Sequence, residues 1–541
     1  MRIPSLLSAL ALLASTYAQP PAEFEAAMKE HFTADAPGGA AIVTKGGKVL
    51  YEDAIGMADL TKGEALTVNS QFRIGSVTKQ FAAVAIMQLA EQGKLALGDE
   101  IQKYVDFPKK EKPITIEHLL THTSGIPSFT DLPLYQPEAY AKDIDLPAII
   151  ALFADLPLEF EPGTKWNYSN SGYLLLTAII ERASGLSWTE YANEHLFKPA
   201  GMEHSSAAIT GAALPAEAVG FAETESGWEP ASPISLTWPR AAGCIRSTVR
   251  DLWKWNTSVF AGKQVSKAML AKAHVGQRFP DGSTEEYGYG WGFQNVQGSR
   301  TIEHSGGIDG FVSNSLYLPE EDIYVAVLVN RETSDASYLA PKLAAIALGK
   351  PYGGPVLPLA AEAAAEYTGV YVSADSVERY ITADTNGLHS QRQGSRKLDL
   401  QHLGDDRFLF AGDVATLTFQ RTNGRVSGAR FLTRGRDELL VRSTKPLPAE
   451  HVAIPLDSAT LQAYVGKFEL MPDFILTFRA EGDRLYLQAP RQAEVEVFGE
   501  APHKFFLTVV DATIEFHPEA DGSVQRLTFT QGGTVEGKRI E

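Results

Sequence analysis

Along the first part of the chain the spacing of apolar positions changes several times, and each change marks an expected element. In "AAIVTKGGKVLYEDAIG" two short apolar runs flank Gly46-Gly47, the pattern of a β-hairpin. The next stretch, "GSVTKQFAAVAIMQLAEQGKLAL", is rich in Ala, Met, Leu and Gln. It predicts a helix with Ser76 at its start and Gly93 at its stop. Residues 113–200 read as mostly helical, interrupted by Pro and Gly loops, and "SNSGYLLLTAIIERASG" is the clearest helix among them, ending near Gly185. The chain from Gly201 to about Trp238 is loop-rich; "STVRDLWKWNTSVF" reads as a helix, "GFVSNSLYLPEEDIYVAVLVN" as two strands about a Pro-Glu-Glu-Asp turn, and "DASYLAPKLAAIALG" as a last helix. Strands that open and close the region, with helices between, predict an α+β domain. One sheet draws on both ends of the domain and packs on helices, with a helical insertion.

After the Gly/Pro stretch "GKPYGGPVLPL" the period shortens to strand-like alternation with frequent turn residues, an all-β pattern. The tail also repeats. "EYTGVY" recurs as "AYVGKF", so that Tyr367 and Tyr464, like Gly369 and Gly466, stand 97 residues apart. "RFLFAGDVATLTF" aligns with "KFFLTVVDATIEF" at the same spacing, through Phe408/Phe505 and Phe419/Phe516. A unit of about a hundred residues is a domain and not a solenoid repeat. The expected organisation is a leader at 1–18, a catalytic domain at 19–350, a linker at 351–360, a β domain at 361–445, a second linker at 446–457 and a second β domain at 458–541. The repeats have no chemical motif of their own; packing, or self-association into a homo-oligomer, is their expected role.

The whole chain has 541 residues and a net charge of -18. An acidic chain without a basic block excludes binding driven by phosphate contacts, so neither nucleic acid nor an anionic membrane surface is an expected partner. Arg2, the apolar run from Ser5 to Ser15 and the small-x-small site at Thr16-Tyr17-Ala18 have the form of a secretory leader. The run is too short to span a bilayer, and no cysteine follows the site, so a periplasmic or secreted protein without a membrane anchor is expected. The one cysteine, Cys244, reads as a small buried hydrophobe.

Three stretches carry candidate chemistry. In "GSVTKQF", Ser76 and Lys79 are three apart, on one face at a helix N-terminus. A lysine there acts as a base only where desolvation or nearby positive charge lowers its pKa. In "KWNYSNSGY", Tyr168 and Asn170 are two apart in a short loop and can face one cleft. A phenol beside an ammonium ionises more readily, and Asn170 can donate to and accept from an amide. In "EHSGGIDGF", His304 precedes Gly306 and Gly307, glycines that let a strand backbone approach a ligand. There is no G-x-S-x-G elbow, H-E-x-x-H zinc motif or P-loop. No metal or cofactor is expected.

In this order, Ser76-Val77-Thr78-Lys79, Tyr168-Ser169-Asn170 and His304-Ser305-Gly306 resemble the penicillin-binding-protein and serine β-lactamase-like hydrolases, in the branch with class C β-lactamases, D-aminopeptidases, DD-peptidases and esterases. "HLLTHTSGI", "FEPGTKWNYSNSGY" and "GCIRSTVRDLWKW" support the resemblance, which covers roughly residues 22–350. It implies a β-lactamase/transpeptidase-like catalytic domain followed by two barrel-like β domains. It also implies Ser76 as acylated nucleophile, Lys79 and Tyr168 sharing acid and base duty, Asn170 orienting the substrate amide, and the Ser76 and Gly307 N–H groups as oxyanion hole. Many relatives carry lysine where this chain has His304. A histidine is only partly charged near neutrality, which favours the D-aminopeptidase and esterase-like members over a dedicated β-lactamase. The substrates so implied are small peptides or amides with D-residues, or small esters. A β-lactamase and a non-catalytic peptidoglycan or β-lactam sensor are the alternatives.

Overall fold

A computed structural model describes residues 22–540, apart from 212, 225, 334, 472, 473, 491 and 493. The expected leader lies outside the described residues. Two units can be distinguished. One comprises the described chain up to Phe129 with Tyr140–Phe293 and Arg300–Gly349; the other comprises Thr130–Ala139, Gln294–Ser299 and the chain from Lys350 onward.

The first unit is organised by a sheet of β1 (Gly39–Lys45), β2 (Lys48–Ile55), β3 (Gly292–Val296), β4 (Ser299–Ile308), β5 (Phe311–Leu318) and β6 (Ile323–Val329), in the spatial order β3-β4-β5-β6-β1-β2. The hairpin around Gly46-Gly47 therefore docks on the late strands, with β1 antiparallel to β6 from Gly39↔Val329 to Lys45↔Ile323. Both central strands are buried almost throughout. This is why they read as continuous apolar runs and not as alternation. The strand carrying the third motif is second from the edge, because β3 lies outside it.

Helices α1 (Ala22–His31), α4 (Val249–Phe260) and α5 (Asp335–Leu348) pack on the sheet, and α2 (Thr78–Glu91) packs on α3 (Asn170–Ser184). α5 packs on β6 and β5, and α1 on α5. Arg331 ties these two helices, donating to Asp335 at one end and to the His31 carbonyl at the other. α2 is buried continuously from Thr78 to Met87, which makes it the central core helix of the unit. Phe81 on α2 stacks on Trp255 of α4 at 4.0 Å between ring centres. Residues 113–200 are helical over more than half of their length, as expected; between Leu120 and Asn170 the helices are short, and Pro127, Pro133, Pro157 and Pro162 punctuate the loops. Cys244 is buried as expected; it accepts from Trp188 Nε1 at 3.2 Å, and burial pushes its thiol up to about 11.

In the second unit the repeated halves form two closed barrels. Each has eight antiparallel strands in chain order, one from Gly369–Val372 to Asp437–Arg442 and the other from Gly466–Met471 to Thr534–Arg539. The repeat survives as side-chain geometry. Tyr367 lies 5.1 Å from Phe408 and 4.6 Å from Phe419, and those two are 5.5 Å apart. Tyr464, Phe505 and Phe516 repeat the triangle at 4.9, 4.6 and 5.5 Å. A closing clamp also repeats: Arg442 donates to the Glu366 carbonyl at 3.0 Å, and Arg539 to the Ala463 carbonyl at 3.0 Å.

Candidate active site

Ser76 stands in a single turn of 3-10 helix, Gly75–Val77, that leads into α2. Two short strands hold the approach, pairing Phe72 with Ser247 and Arg73 with Arg246. The two arginines share the buried Glu217, at 3.0 and 3.1 Å. Gly75 has φ 48°, and a Cβ on it would lie 2.8 Å from the Gly307 carbonyl oxygen. A Cβ on Gly306 would lie 2.1 Å from the Ile74 carbonyl oxygen. Only glycine at these two positions lets the third-motif strand lie against the serine turn.

Lys79, on the first turn of α2, is fully buried. Its Nζ lies 3.0 Å from Ser76 Oγ, 2.8 Å from Asn170 Oδ1 and 2.9 Å from the Ala242 carbonyl. These partners are a hydroxyl, an amide oxygen and a backbone carbonyl. Burial without a carboxylate among them lowers the Lys79 pKa well below its ordinary value. A neutral amine has two N–H bonds and one lone pair. Asn170 Oδ1 and the Ala242 carbonyl can only accept, so they take both protons, and the lone pair faces the Ser76 hydroxyl.

Tyr168 precedes α3, whose N-cap is Ser169, accepting from Gly172 N–H. The Tyr168 ring lies beneath Lys79 Nζ, 4.7 Å from ring centre to nitrogen. Its hydroxyl is enclosed without a protein hydrogen bond; Ser76 Oγ is the polar atom that faces it, short of good bonding geometry. The sequence expectation that lysine eases ionisation of this phenol is not met. Burial raises the Tyr168 pKa, and the buried lysine beside it is itself driven toward its neutral form. Tyr168 is therefore a protonated phenol at rest. The Tyr168 loop hangs on His122, at φ 58°, whose carbonyl accepts from Asn167 N–H at 3.1 Å and whose Nδ1 accepts from Ser169 N–H at 3.1 Å.

His304 on β4 is buried, 7% exposed, with its ring 6.2 Å from that of Tyr168. Nε2 meets Tyr287 Oη at 2.9 Å and Nδ1 meets the Ser305 carbonyl at 2.6 Å. Burial, with Lys79 nearby, pushes its pKa down to about 3. The third motif is thus uncharged, more strongly than a partly charged histidine in sequence implies. The structure brings together Ser76, Lys79, Tyr168, Asn170, His304, Gly306 and Gly307. Sequence reasoning passed over His122, Tyr287 and the Ala242 carbonyl. His122 sits in the supporting stretch "HLLTHTSGI", and Tyr287 opens the glycine-spaced "YGYGWG".

A serine bonded to a buried lysine, a phenol ring beneath that lysine and a glycine strand against the serine, on a sheet flanked by helices, define a serine hydrolase of β-lactamase type. The chain belongs to the Beta-lactamase family, whose model matches residues 22–349. A second model, described as a domain of unknown function (DUF3471), matches residues 450–539, the second barrel. Over 430 residues the chain is 29% identical to a penicillin-binding protein of Bacillus subtilis (strain 168), covering 75% of this chain and 95% of that one. It is 28% identical over 323 residues to a D-aminopeptidase of Gluconobacter oxydans (strain 621H), covering 58% of this chain and 60% of that one. Among solved structures, the octameric penicillin-binding protein homologue from Pyrococcus abyssi aligns with a TM-score of 0.54 at 27% identity, over 77% of this chain and 99% of that one. A D-amino acid amidase from Ochrobactrum anthropi SV3 shares the fold at 24% identity, with a TM-score of 0.54 over 61% of this chain and 99% of that one.

Proposed function

We propose that this hydrolase works through an acyl-enzyme on Ser76 and cleaves amide bonds of small D-residue-containing peptides or amides, or small esters. The observation that carries the reading is the environment of Lys79: two acceptor-only partners and a fully buried amine leave one lone pair for the Ser76 proton. Lys79 takes that proton as Ser76 Oγ bonds to the substrate carbonyl carbon. The oxyanion is received by the N–H groups of Ser76 and Gly307. As the C–N or C–O bond breaks, Tyr168 gives its phenolic proton to the leaving group, and Lys79 returns a proton to Tyr168. Water then enters by the reverse route, losing a proton to the Lys79–Tyr168 pair, and Ser76 regains its own. Asn170 keeps the amine oriented and borders the site of the substrate amide.

The D-aminopeptidase relative and the uncharged His304 support D-residue amides over β-lactams with an anchored carboxylate. The apolar leader-like start supports a protein exported to the periplasm or beyond; among the described residues no helix is long and apolar enough to cross a membrane. The test is covalent labelling with a fluorophosphonate or penicillin probe, located by mass spectrometry. Wild type takes one adduct on Ser76 and Ser76→Ala takes none. Equal labelling of the two proteins overturns the assignment. D-aminoacyl anilides, short acyl esters and a chromogenic cephalosporin then order the substrate classes, with the cephalosporin expected to be the poorest.

A further inference from the structure

Behind Tyr168 lies a row of buried polar groups that the acyl-transfer scheme does not use. Ser169 N–H reaches His122 Nδ1 at 3.1 Å, His122 Nε2 lies 3.3 Å from Tyr287 Oη, Tyr287 Oη lies 2.9 Å from His304 Nε2, and His304 Nδ1 lies 2.6 Å from the Ser305 carbonyl. The three side chains are between 1% and 7% exposed. Both ends are fixed by covalent chemistry, since a backbone N–H only donates and a carbonyl only accepts. Ser169 occupies the lone pair of His122 Nδ1, so the His122 proton is on Nε2 and points at Tyr287. The Ser305 carbonyl takes a proton from His304 Nδ1, so His304 Nε2 holds a lone pair and receives the Tyr287 proton. Each link has one permitted direction, and both imidazoles are neutral. A second proton on His304 would break the Tyr287-to-His304 bond and turn the buried Tyr287 O–H toward Tyr173, whose hydroxyl faces it.

The groups packed around the row favour the same state. Lys79 Nζ lies over the rings of Tyr168 and Tyr173, at 4.7 and 5.4 Å, and Tyr173 gives its own proton to the Leu120 carbonyl at 2.9 Å. Burial, then the proximity of Lys79 and of His304, hold His122 well below the usual imidazole range. The row is also anchored at both flanks. His122 carries the residues on either side of Tyr168, through its carbonyl and its ring. The Tyr287 segment is seated against α2, where a Cβ on Gly290 would lie 2.7 Å from the Lys79 carbonyl oxygen.

We propose that His122 and Tyr287 are positioning residues whose proton-ordered row registers the Tyr168 loop on the third-motif strand and presents His304 as a neutral Nδ1–H imidazole, so that the site takes substrates without a carboxylate beside the scissile bond. The substrate half of this rests on the acyl-transfer reading; the row itself does not. With both ring nitrogens engaged and no charge, His304 offers a carboxylate neither a cation nor a free donor. A lysine at the same place would offer both.

Nitrogen NMR of the full chain with labelled histidine, assigned with His304→Gln, reads the tautomer directly. The expected signal is an Nδ1–H, Nε2-unprotonated ring that does not change between about pH 5 and 8. Tyr287→Phe removes the donor to Nε2 while the Ser305 carbonyl still holds the Nδ1 proton, so the tautomer should persist and the Nε2 signal should lose its hydrogen-bond shift. An Nε2–H tautomer in wild type, or protonation inside that window, overturns the row. Paired D-alanyl-D-alanine peptides, one ending in a free carboxylate and one in a carboxamide, read the specificity. Wild-type kcat/KM should favour the carboxamide, and His304→Lys should move the ratio toward the carboxylate by about tenfold or more. A wild-type preference for the carboxylate overturns the substrate half. Tyr287→Phe should lower kcat with KM nearly unchanged, whereas a raised KM alone would refute a positioning role. Failure of Ser76 to label, beside a neutral Nδ1–H His304, sinks the acyl-enzyme and leaves the row; a labelled Ser76 beside a titrating His304 does the reverse.

Discussion

Replacing Asn170 by Asp exchanges an amide oxygen for a carboxylate of the same shape, 2.8 Å from Lys79 Nζ. Two unit charges that close, at an effective dielectric near 20, attract by about 6 kcal/mol, or roughly four pKa units. Burial of the new carboxylate opposes its own ionisation, so a rise of about two units is the expected minimum. The sign follows from which form is active. The carboxylate stabilises the ammonium, raises the Lys79 pKa, and confines base function to pH above the raised value. Asn170→Asp should therefore move the limb of acylation against pH upward by about two units or more, with the rate below the shifted limb recovering about tenfold per pH unit. Asn170→Ala is the control: it removes an acceptor without adding charge, so the rate falls at every pH and the limb stays in place. The assay is the pH dependence of Ser76 labelling under single-turnover conditions. An Asn170→Asp limb that coincides with wild type would refute the neutral-lysine argument.

Other outcomes follow from the same geometry. Tyr168→Phe keeps the ring under Lys79 and removes the leaving-group proton, so steady-state kcat should fall about a hundredfold or more on anilides, and far less on activated esters. Gly306→Ala forces a Cβ against the Ile74 carbonyl, at 2.1 Å without relaxation; loss of Ser76 labelling and a lower Tm by calorimetry are expected. Phe419→Ala and Phe516→Ala each break one aromatic triangle and should destabilise their own barrel by about 3–5 kcal/mol, read as loss of hydrogen-exchange protection confined to that barrel.

The parts legible in sequence were those written in local spacing. Ser76 and Lys79 are a helical step apart, Tyr168 and Asn170 share one loop, and the pair of barrels was visible because Tyr367, Phe408 and Phe419 each return 97 residues later. The sheet built from both ends of the first unit followed from the order of strand-like and helix-like runs. The parts that were hidden depend on distance and burial. Ala242 contributes a carbonyl, which no side-chain motif encodes. Tyr287 meets His122 across 165 residues and His304 across 17, so neither spacing marks it. The protonation of Tyr168 was misjudged because sequence shows the neighbouring lysine but not the desolvation acting on both groups.

The closing clamps of the barrels bear on how the tail is made. Tyr371 pairs with Arg442 and Phe468 with Arg539, and in each case 71 residues separate first strand from last. Neither barrel can seal until its final strand has been synthesised, and such distant pairing is slow to form. Because both clamps use an arginine that grips the backbone just ahead of its own first strand, the emerging chain presents two receptive seams of the same design. A last strand that reaches the wrong seam yields a swapped pair of barrels. The likeness stops at the clamps: Tyr367, beside the first seam, bonds Asp406, whereas its counterpart Tyr464 bonds His503.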